Sequence, residues 1–375
     1  MVTGRLFSLF CLLFTMWVGC VFADHPEDKQ DDTATPANPK VLSLEPHIGF
    51  IIIHSEDIRN IKNSYPTGFD LSVSIHDNTA SAWQTCNCYP RTGLAFSFFD
   101  FDNQRVLGRG YLLSFYIEPH FELGKGVTFS MKGTSGLGYL TKPFDEKTNP
   151  DNRSYSLHVN GYLQLKAGLN YRINPRWTVS LSANYNHISN GGIEEPNKGI
   201  NFPTASAGVD YTFNPQRFPK REKISPDTVQ LANNWEVNSF VAYKELSHGA
   251  GERFFIYGVQ GFYNHPIHQL HSLRVGAEWI INRAVKAKMR KQGEQQKLFK
   301  HHRGNLLAGH AFLLGRFRFS EQIGVYLFRP FNDHHPVYQR YSLTYRITAR
   351  IQAGIGLKSH LHVADFLDVR LGMRF

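Results

Sequence analysis

His187 and Ser189 stand two residues apart in the run Asn186-His187-Ile188-Ser189-Asn190-Gly191-Gly192, and Asn201 follows after a short polar stretch. A hydroxyl, an imidazole and a carboxamide form the set that nucleophilic acyl transfer uses: one group attacks, one takes its proton, and one holds the base. On a β-strand, residues i and i+2 share a face, so the hydroxyl and the imidazole are already neighbours. Ser189 is then the candidate nucleophile, His187 the general base, and Asn201 the group that orients the ring. The backbone amides of Asn190, Gly191 and Gly192, with the Asn197 side chain, are candidate oxyanion donors, glycine allowing close approach. Glu194 and Glu195, in the same loop, are the reserve candidates for the third member.

Such a set works only if regular elements hold it, and the rest of the chain says which. Its 375 residues are 42% hydrophobic and 14% aromatic, with a mean hydropathy of -0.34. No stretch beyond the N-terminus is apolar enough to cross a bilayer as a helix, which excludes a helical membrane protein. The 29 Phe, 17 Tyr and 31 Gly, against 5 Met, favour strands. Leu157, Val159, Leu163, Leu165, Leu169 and Tyr171 alternate with Ser156, His158, Asn160, Gln164, Lys166 and Asn170, giving one oily and one wet face. A soluble sandwich and a membrane barrel both produce this pattern, and the ends of the chain separate them.

Residues 1–23 carry Arg5, an apolar run from Leu6 to Val18, and Val21-Phe22-Ala23, the features of a secretory signal. Val18-Gly19-Cys20 offers a competing lipoprotein processing site. Residues 24–40 are acidic and Pro-containing and read as a disordered lead-in. Leu367, Val369, Leu371, Met373 and Phe375 alternate with polar or small residues. That cadence resembles the closing strand of bacterial outer-membrane barrels, and the resemblance implies handling by the barrel-assembly machinery. The predicted fold is therefore all-β, a transmembrane antiparallel outer-membrane β-barrel of about 16 strands, eight within 41–215 and eight within 216–375. One large barrel is preferred to two eight-stranded barrels, with Asn214–Asn234 as a seam between the halves.

Local parity then places the chemistry. Ile173-Asn174-Pro175-Arg176 is a tight turn of the periplasmic kind, so the strand from Trp177 runs outward. Trp177, Val179, Leu181, Ala183 and Tyr185 face lipid, with Trp177 and Tyr185 at the two aromatic girdles. His187 and Ser189 continue that parity, and Asn201 shares the parity of Ala205, Ala207, Val209, Tyr211 and Phe213 on the returning strand. All three are predicted on the lipid-facing surface, where outer-leaflet headgroups meet acyl chains.

The stretch from Asn186 to Ile193, with Pro196-Asn197 and Gly199-Ile200, resembles the active-site hairpin of outer-membrane lipid A 3-O-deacylases of the PagL type. The resemblance is strongest from Arg176 to Phe213 and extends over residues 41–215, without obviously covering 216–375. It implies hydrolysis of an ester-linked acyl chain of lipid A, with lipopolysaccharide of the outer leaflet as substrate and His187 and Ser189 as base and nucleophile. The acid of the family's triad falls on Asn201, a neutral group that holds an imidazole but stabilises imidazolium less than a carboxylate does. A non-catalytic barrel for transport or binding is the rival reading, and a lumen-facing His187 would favour it.

Other features weigh less. Cys86 and Cys88 read as two separate thiols without a role. The stretch from Arg283 to Arg303 holds eight Lys or Arg against Glu294 alone and reads as an extracellular charged loop suited to lipopolysaccharide phosphates. Ser359, His360 and Asp365 echo the first constellation but read as structural. Metal-ligand spacings, phosphate loops and cofactor motifs are absent from the sequence, and nucleic acid is not expected as a partner.

Overall fold

A sheet in lipid must satisfy every backbone N–H and C=O within itself, which only closure achieves. In the computed structural model, which describes residues 38–222, 232–245, 252–291, 301–331, 335–360 and 363–375, the alternating segments close in two rings. The first is formed by β1 (Lys40–Gly49), β2 (Thr67–His76), β3 (Tyr89–Asp100), β4 (Arg109–Gly124), β5 (Val127–Leu140), β6 (Val159–Arg172), β7 (Trp177–Ser189) and β8 (Ile200–Thr212). The second is formed by β9 (Asn234–Glu245), β10 (Arg253–His268), β11 (His271–Asn282), β12 (His302–Leu314), β13 (Phe317–Phe328), β14 (Val337–Arg346), β15 (Ile351–His360) and β16 (Val363–Arg374). The segment assigned to export lies outside the described residues, as do residues 24–37, 223–231 of the seam and 292–300 of the basic stretch.

The preference for one large barrel is overturned. β8 returns to β1, with Val41 opposite Thr212, and β16 returns to β9, with Asp368 opposite Ala242. The physical reason lies in the lumens, since an eight-stranded ring is narrow enough for its side chains to meet across it. Lys166 Nζ reaches Glu45 at 2.8 Å and Arg91 reaches Asp210 at 2.5 Å in the first barrel. Arg340 bridges Glu278, at 2.6 Å, and Asp368 in the second. A sixteen-stranded ring would hold these charges apart.

Parity is inverted relative to a soluble protein. Leu165 and Leu181 are 66% and 69% exposed on the outer face, while Asn184 and Asn186 are buried inside. Among the central charges of the first lumen, lined by Glu45, Arg91, Glu118, Lys132 and Lys166, the cavity measures about 10 Å³, room for roughly one water. Towards the loop end, Phe99, Phe101, Leu112, Tyr155, Ile188 and Phe202 form an apolar plug. The first barrel is thus a filled scaffold.

Among the described residues, two short α-helices decorate the rings, α1 (Ala80–Cys86) and α2 (Arg283–Lys291). Cys86 and Cys88, expected as separate thiols, form a disulfide. Asn87 caps α1 in the left-handed region at φ 51°, and this reversal brings the two Cα atoms to 5.0 Å. A strand would have placed the pair on one face, but a helix end turns them together.

The lumen network gives a stability test. Arg340→Met leaves Glu278 and Asp368 short of a buried cation, and breaking a buried pair costs about 3–5 kcal/mol. Denaturant unfolding of this variant, followed by heat-modifiable gel mobility, is expected to show a lowered midpoint; an unchanged midpoint would contradict the role given to the network.

Candidate active site

The strand-to-strand register of one hairpin builds the site. After the Ile173–Arg176 turn, where Asn174 Oδ1 accepts the Arg176 and Trp177 N–H groups at 2.9 and 3.0 Å, β7 runs to the loop end and β8 returns beside it. His187 lies directly opposite Asn201 in this pairing. Because the side chains alternate, Asn186 and Ile188 fill the lumen while His187 and Ser189 share the outer face with Leu181 and Tyr185. The expected lipid-side placement is thus what the structure shows, and the lumen-facing arrangement that would favour a transport or binding barrel is not adopted.

The three side chains are within hydrogen-bond reach of one another. Ser189 Oγ is 3.2 Å from His187 Nε2, and His187 Nδ1 is 2.6 Å from Asn201 Oδ1. An amide oxygen only accepts, so the ring carries its proton on Nδ1 and leaves the Nε2 lone pair facing the hydroxyl. This is the tautomer a general base needs. Glu194 and Glu195, the reserve third members, are engaged elsewhere: the Glu194 carboxylate pairs with Arg253, and Glu195 accepts the Asn197 N–H at 3.0 Å.

The four expected oxyanion donors fall into two groups. Asn197 Oδ1 accepts the Asn190 N–H at 3.0 Å, and Asn190 Oδ1 accepts the Gly192 N–H at 3.0 Å, so both amides are occupied. The Gly191 N–H instead points at Ser189 Oγ, 3.3 Å away. Asn197, with its oxygen turned to Asn190, has the Nδ2 end of its carboxamide left to offer.

Several contributors were not legible in the sequence. The Asn190–Gly192 bend and the loop after it rest on the second barrel, where the Leu367 N–H donates to the Gly191 carbonyl at 3.1 Å and the Glu195 N–H donates to the Glu245 carboxylate at 3.0 Å. His54, from the loop between β1 and β2, has Nδ1 3.2 Å from Asn201 Nδ2. Gly199, at φ +76°, passes so close to the imidazole that an added Cβ would sit 3.1 Å from His187 Cε1. Of Ser359, His360 and Asp365, the imidazole and the carboxylate approach each other, His360 Nδ1 to Asp365 Oδ2 at 3.9 Å, but His360 Nε2 meets the Tyr326 hydroxyl, Asp365 is bound by Lys244 at 2.5 Å, and Ser359 Oγ donates to Gln339.

Comparison with known proteins bears on both halves. The family model described as lipid A 3-O-deacylase (PagL) matches residues 62–210, and that described as acyloxyacyl hydrolase, C-terminal domain, matches residues 233–375. Together the two span most of the chain. No curated protein sequence matches it. Among solved structures the chain is similar to Neisserial surface protein A (NspA), at 10% identity and a TM-score of 0.33, over 46% of this chain and 97% of that one. It is also similar to the outer membrane enzyme PagL, at 15% identity and a TM-score of 0.32, over 44% and 97%. A Rh. blastica porin variant matches at 12% identity and a TM-score of 0.21, over 90% and 99%.

The tight approach of Gly199 to the ring yields an expected outcome. Gly199→Ala adds a methyl against His187 and demands a left-handed backbone that alanine resists, displacing the imidazole from Asn201. Small misplacements of a catalytic group cost on the order of 10- to 100-fold in rate, so ester hydrolysis by the folded variant should fall by about that factor. A wild-type rate in a variant of normal heat-modifiable mobility would show that the ring is not held by this approach.

Proposed function

Since the chain belongs to the lipid A 3-O-deacylase (PagL) family, we propose that its hydrolytic chemistry is carried by Ser189, His187 and Asn201 at the lipid-facing loop end of the first barrel. The protein is an outer-membrane lipid A deacylase, an ester hydrolase whose substrate is the lipid A of lipopolysaccharide. The observation that carries the residue assignment is the connected pair of contacts, Ser189 Oγ to His187 Nε2 and His187 Nδ1 to Asn201 Oδ1, on the outer face of β7 and β8.

In this reading a lipid A molecule in the outer leaflet diffuses laterally until an ester carbonyl meets Ser189. Oγ attacks the carbonyl carbon as its proton passes to His187 Nε2, and Asn201 holds the imidazolium through its Nδ1 proton. The Gly191 N–H and Asn197 Nδ2 are the donors assigned to the oxyanion; each such donor is worth about 2.7–4 kcal/mol where it has been removed elsewhere. Collapse expels the sugar oxygen, which takes the proton from His187, and leaves an acyl ester on Ser189. Water, deprotonated by the same imidazole, then releases the fatty acid and restores the hydroxyl.

The first expected outcome concerns the nucleophile. Ser189→Ala should abolish loss of the ester-linked acyl chain from lipid A, read by mass spectrometry of cells with and without the protein, while heat-modifiable mobility stays normal. Continued deacylation by that variant would contradict the assignment. The second concerns the base. A neutral Nε2 is required to accept the proton, so activity is present above the titration of His187 and lost as pH falls through it. An imidazole base places this loss within about pH 5 to 8; a rate constant across that range would argue against His187.

A further inference from the structure

A carboxylate presents the same acceptor to an imidazole whichever oxygen faces it, but a carboxamide has two unlike ends. Were Asn201 turned about, its Nδ2 would donate to His187 Nδ1, and the ring proton would be driven to Nε2, the atom that must receive the proton of Ser189. A chain with asparagine at this position therefore needs another group to choose the end.

The loop between β1 and β2 supplies one. Its Ile52 N–H donates to the Asn201 carbonyl at 2.8 Å and its Phe50 N–H to the Pro203 carbonyl at 3.3 Å, which ties the loop alongside β8. His54 is thereby set beside Asn201. His54 Nε2 is 2.9 Å from the Lys198 carbonyl, which only accepts, so Nε2 carries the ring proton. The Nδ1 of the neutral ring is then an acceptor, and Asn201 Nδ2, at 3.2 Å, donates to it. Nδ1 also lies near a carbonyl, that of Ile52, but at 3.3 Å against 2.9 Å for Nε2 and Lys198, so the single proton of the neutral ring goes to Nε2, where the bond is shorter. The Lys198 carbonyl is itself fixed, because its own N–H and that of Gly199 donate to the Arg153 and Ser154 carbonyls at 3.1 and 2.7 Å. The bonds then run in one direction: Ser189 to His187, His187 to Asn201, Asn201 to His54, and His54 to Lys198.

We propose that His54 is a positioning residue of the deacylase site, selecting the end of the Asn201 carboxamide that faces His187 and so fixing the tautomer of the base. The proposal rests on the reading of Ser189, His187 and Asn201 given above. It ascribes to His54 the orienting task that a carboxylate performs without help.

Purified full-length protein acting on lipopolysaccharide in detergent micelles tests it, with heat-modifiable mobility confirming the fold of each variant. His54→Ala is expected to lower kcat by about tenfold or more with little change in KM, since a wrong tautomer impairs the chemical step. His54→Gln, whose amide can accept from Asn201 and donate to the Lys198 carbonyl, is expected to recover most of that loss. In an Asn201→Glu background, or Asn201→Asp should the former not fold, His54→Ala is expected to change kcat by less than about twofold. Wild-type kcat in His54→Ala, no recovery in His54→Gln, or an equal loss in both backgrounds overturns the proposal. The two readings separate on Ser189→Ala: activity retained there overturns the nucleophile and the His54 role together, whereas activity lost there but kept in His54→Ala overturns the His54 role alone.

Discussion

Everything in this protein follows from the two-residue period of a strand whose outer face must be oily. A side chain in a closed sheet points either to lipid or to the lumen, with no third choice. Polar groups on the outer face are therefore misplaced unless they lie where the bilayer stops being apolar. His187, Ser189 and Asn201 lie at the loop end of that face, His187 and Ser189 four to eight residues beyond Leu181 and Ala183 and Asn201 across from them on β8. The parity that makes the barrel insert also turns the Ser189 hydroxyl outward, which is what the proposed attack on a membrane-bound substrate requires.

The opposite face obeys the same constraint with the signs reversed. Charges turned into an eight-stranded lumen cannot find bulk water, so they must find one another, as Lys166 finds Glu45 and Arg340 finds Glu278 and Asp368. Filled lumens make rigid walls, and a rigid wall is what a site built on a strand end requires. The loop beyond that end is the part a strand cannot hold. Here the second barrel meets it, Leu367 and Glu245 binding the backbone of Gly191 and Glu195 while Arg253 pairs with Glu194.

What was legible in the sequence was what depends on neighbours along the chain. The strands of the β7–β8 hairpin, the outward face of His187 and its pairing with Asn201 all follow from counting parity through one loop, and the structure has them so. Closure was not legible, because whether β8 meets β1 or β9 is a contact between distant segments that hydrophobic alternation does not encode. The Cys86–Cys88 bond escaped for a different reason: it depends on a left-handed Asn87 at a helix end, where an extended reading keeps the thiols apart. His54 reaches Asn201 from 147 positions away, and its ring carries no pattern signal of its own. The asparagine at position 201 was visible in the sequence, but the approach of His54 to its carboxamide could be found only in three dimensions.

The central claim is that a hydroxyl on the lipid-facing surface is chemically activated by the imidazole beside it. Ordinary serines do not react with a fluorophosphonate ester probe, because covalent capture needs both a general base and an oxyanion site. Treatment of the full-length protein in lipid vesicles with such a probe, followed by peptide mass spectrometry, measures that activation directly. The account predicts a single adduct on the peptide containing Ser189 and its loss in His187→Ala. An unlabelled Ser189, or labelling that persists without His187, would contradict it.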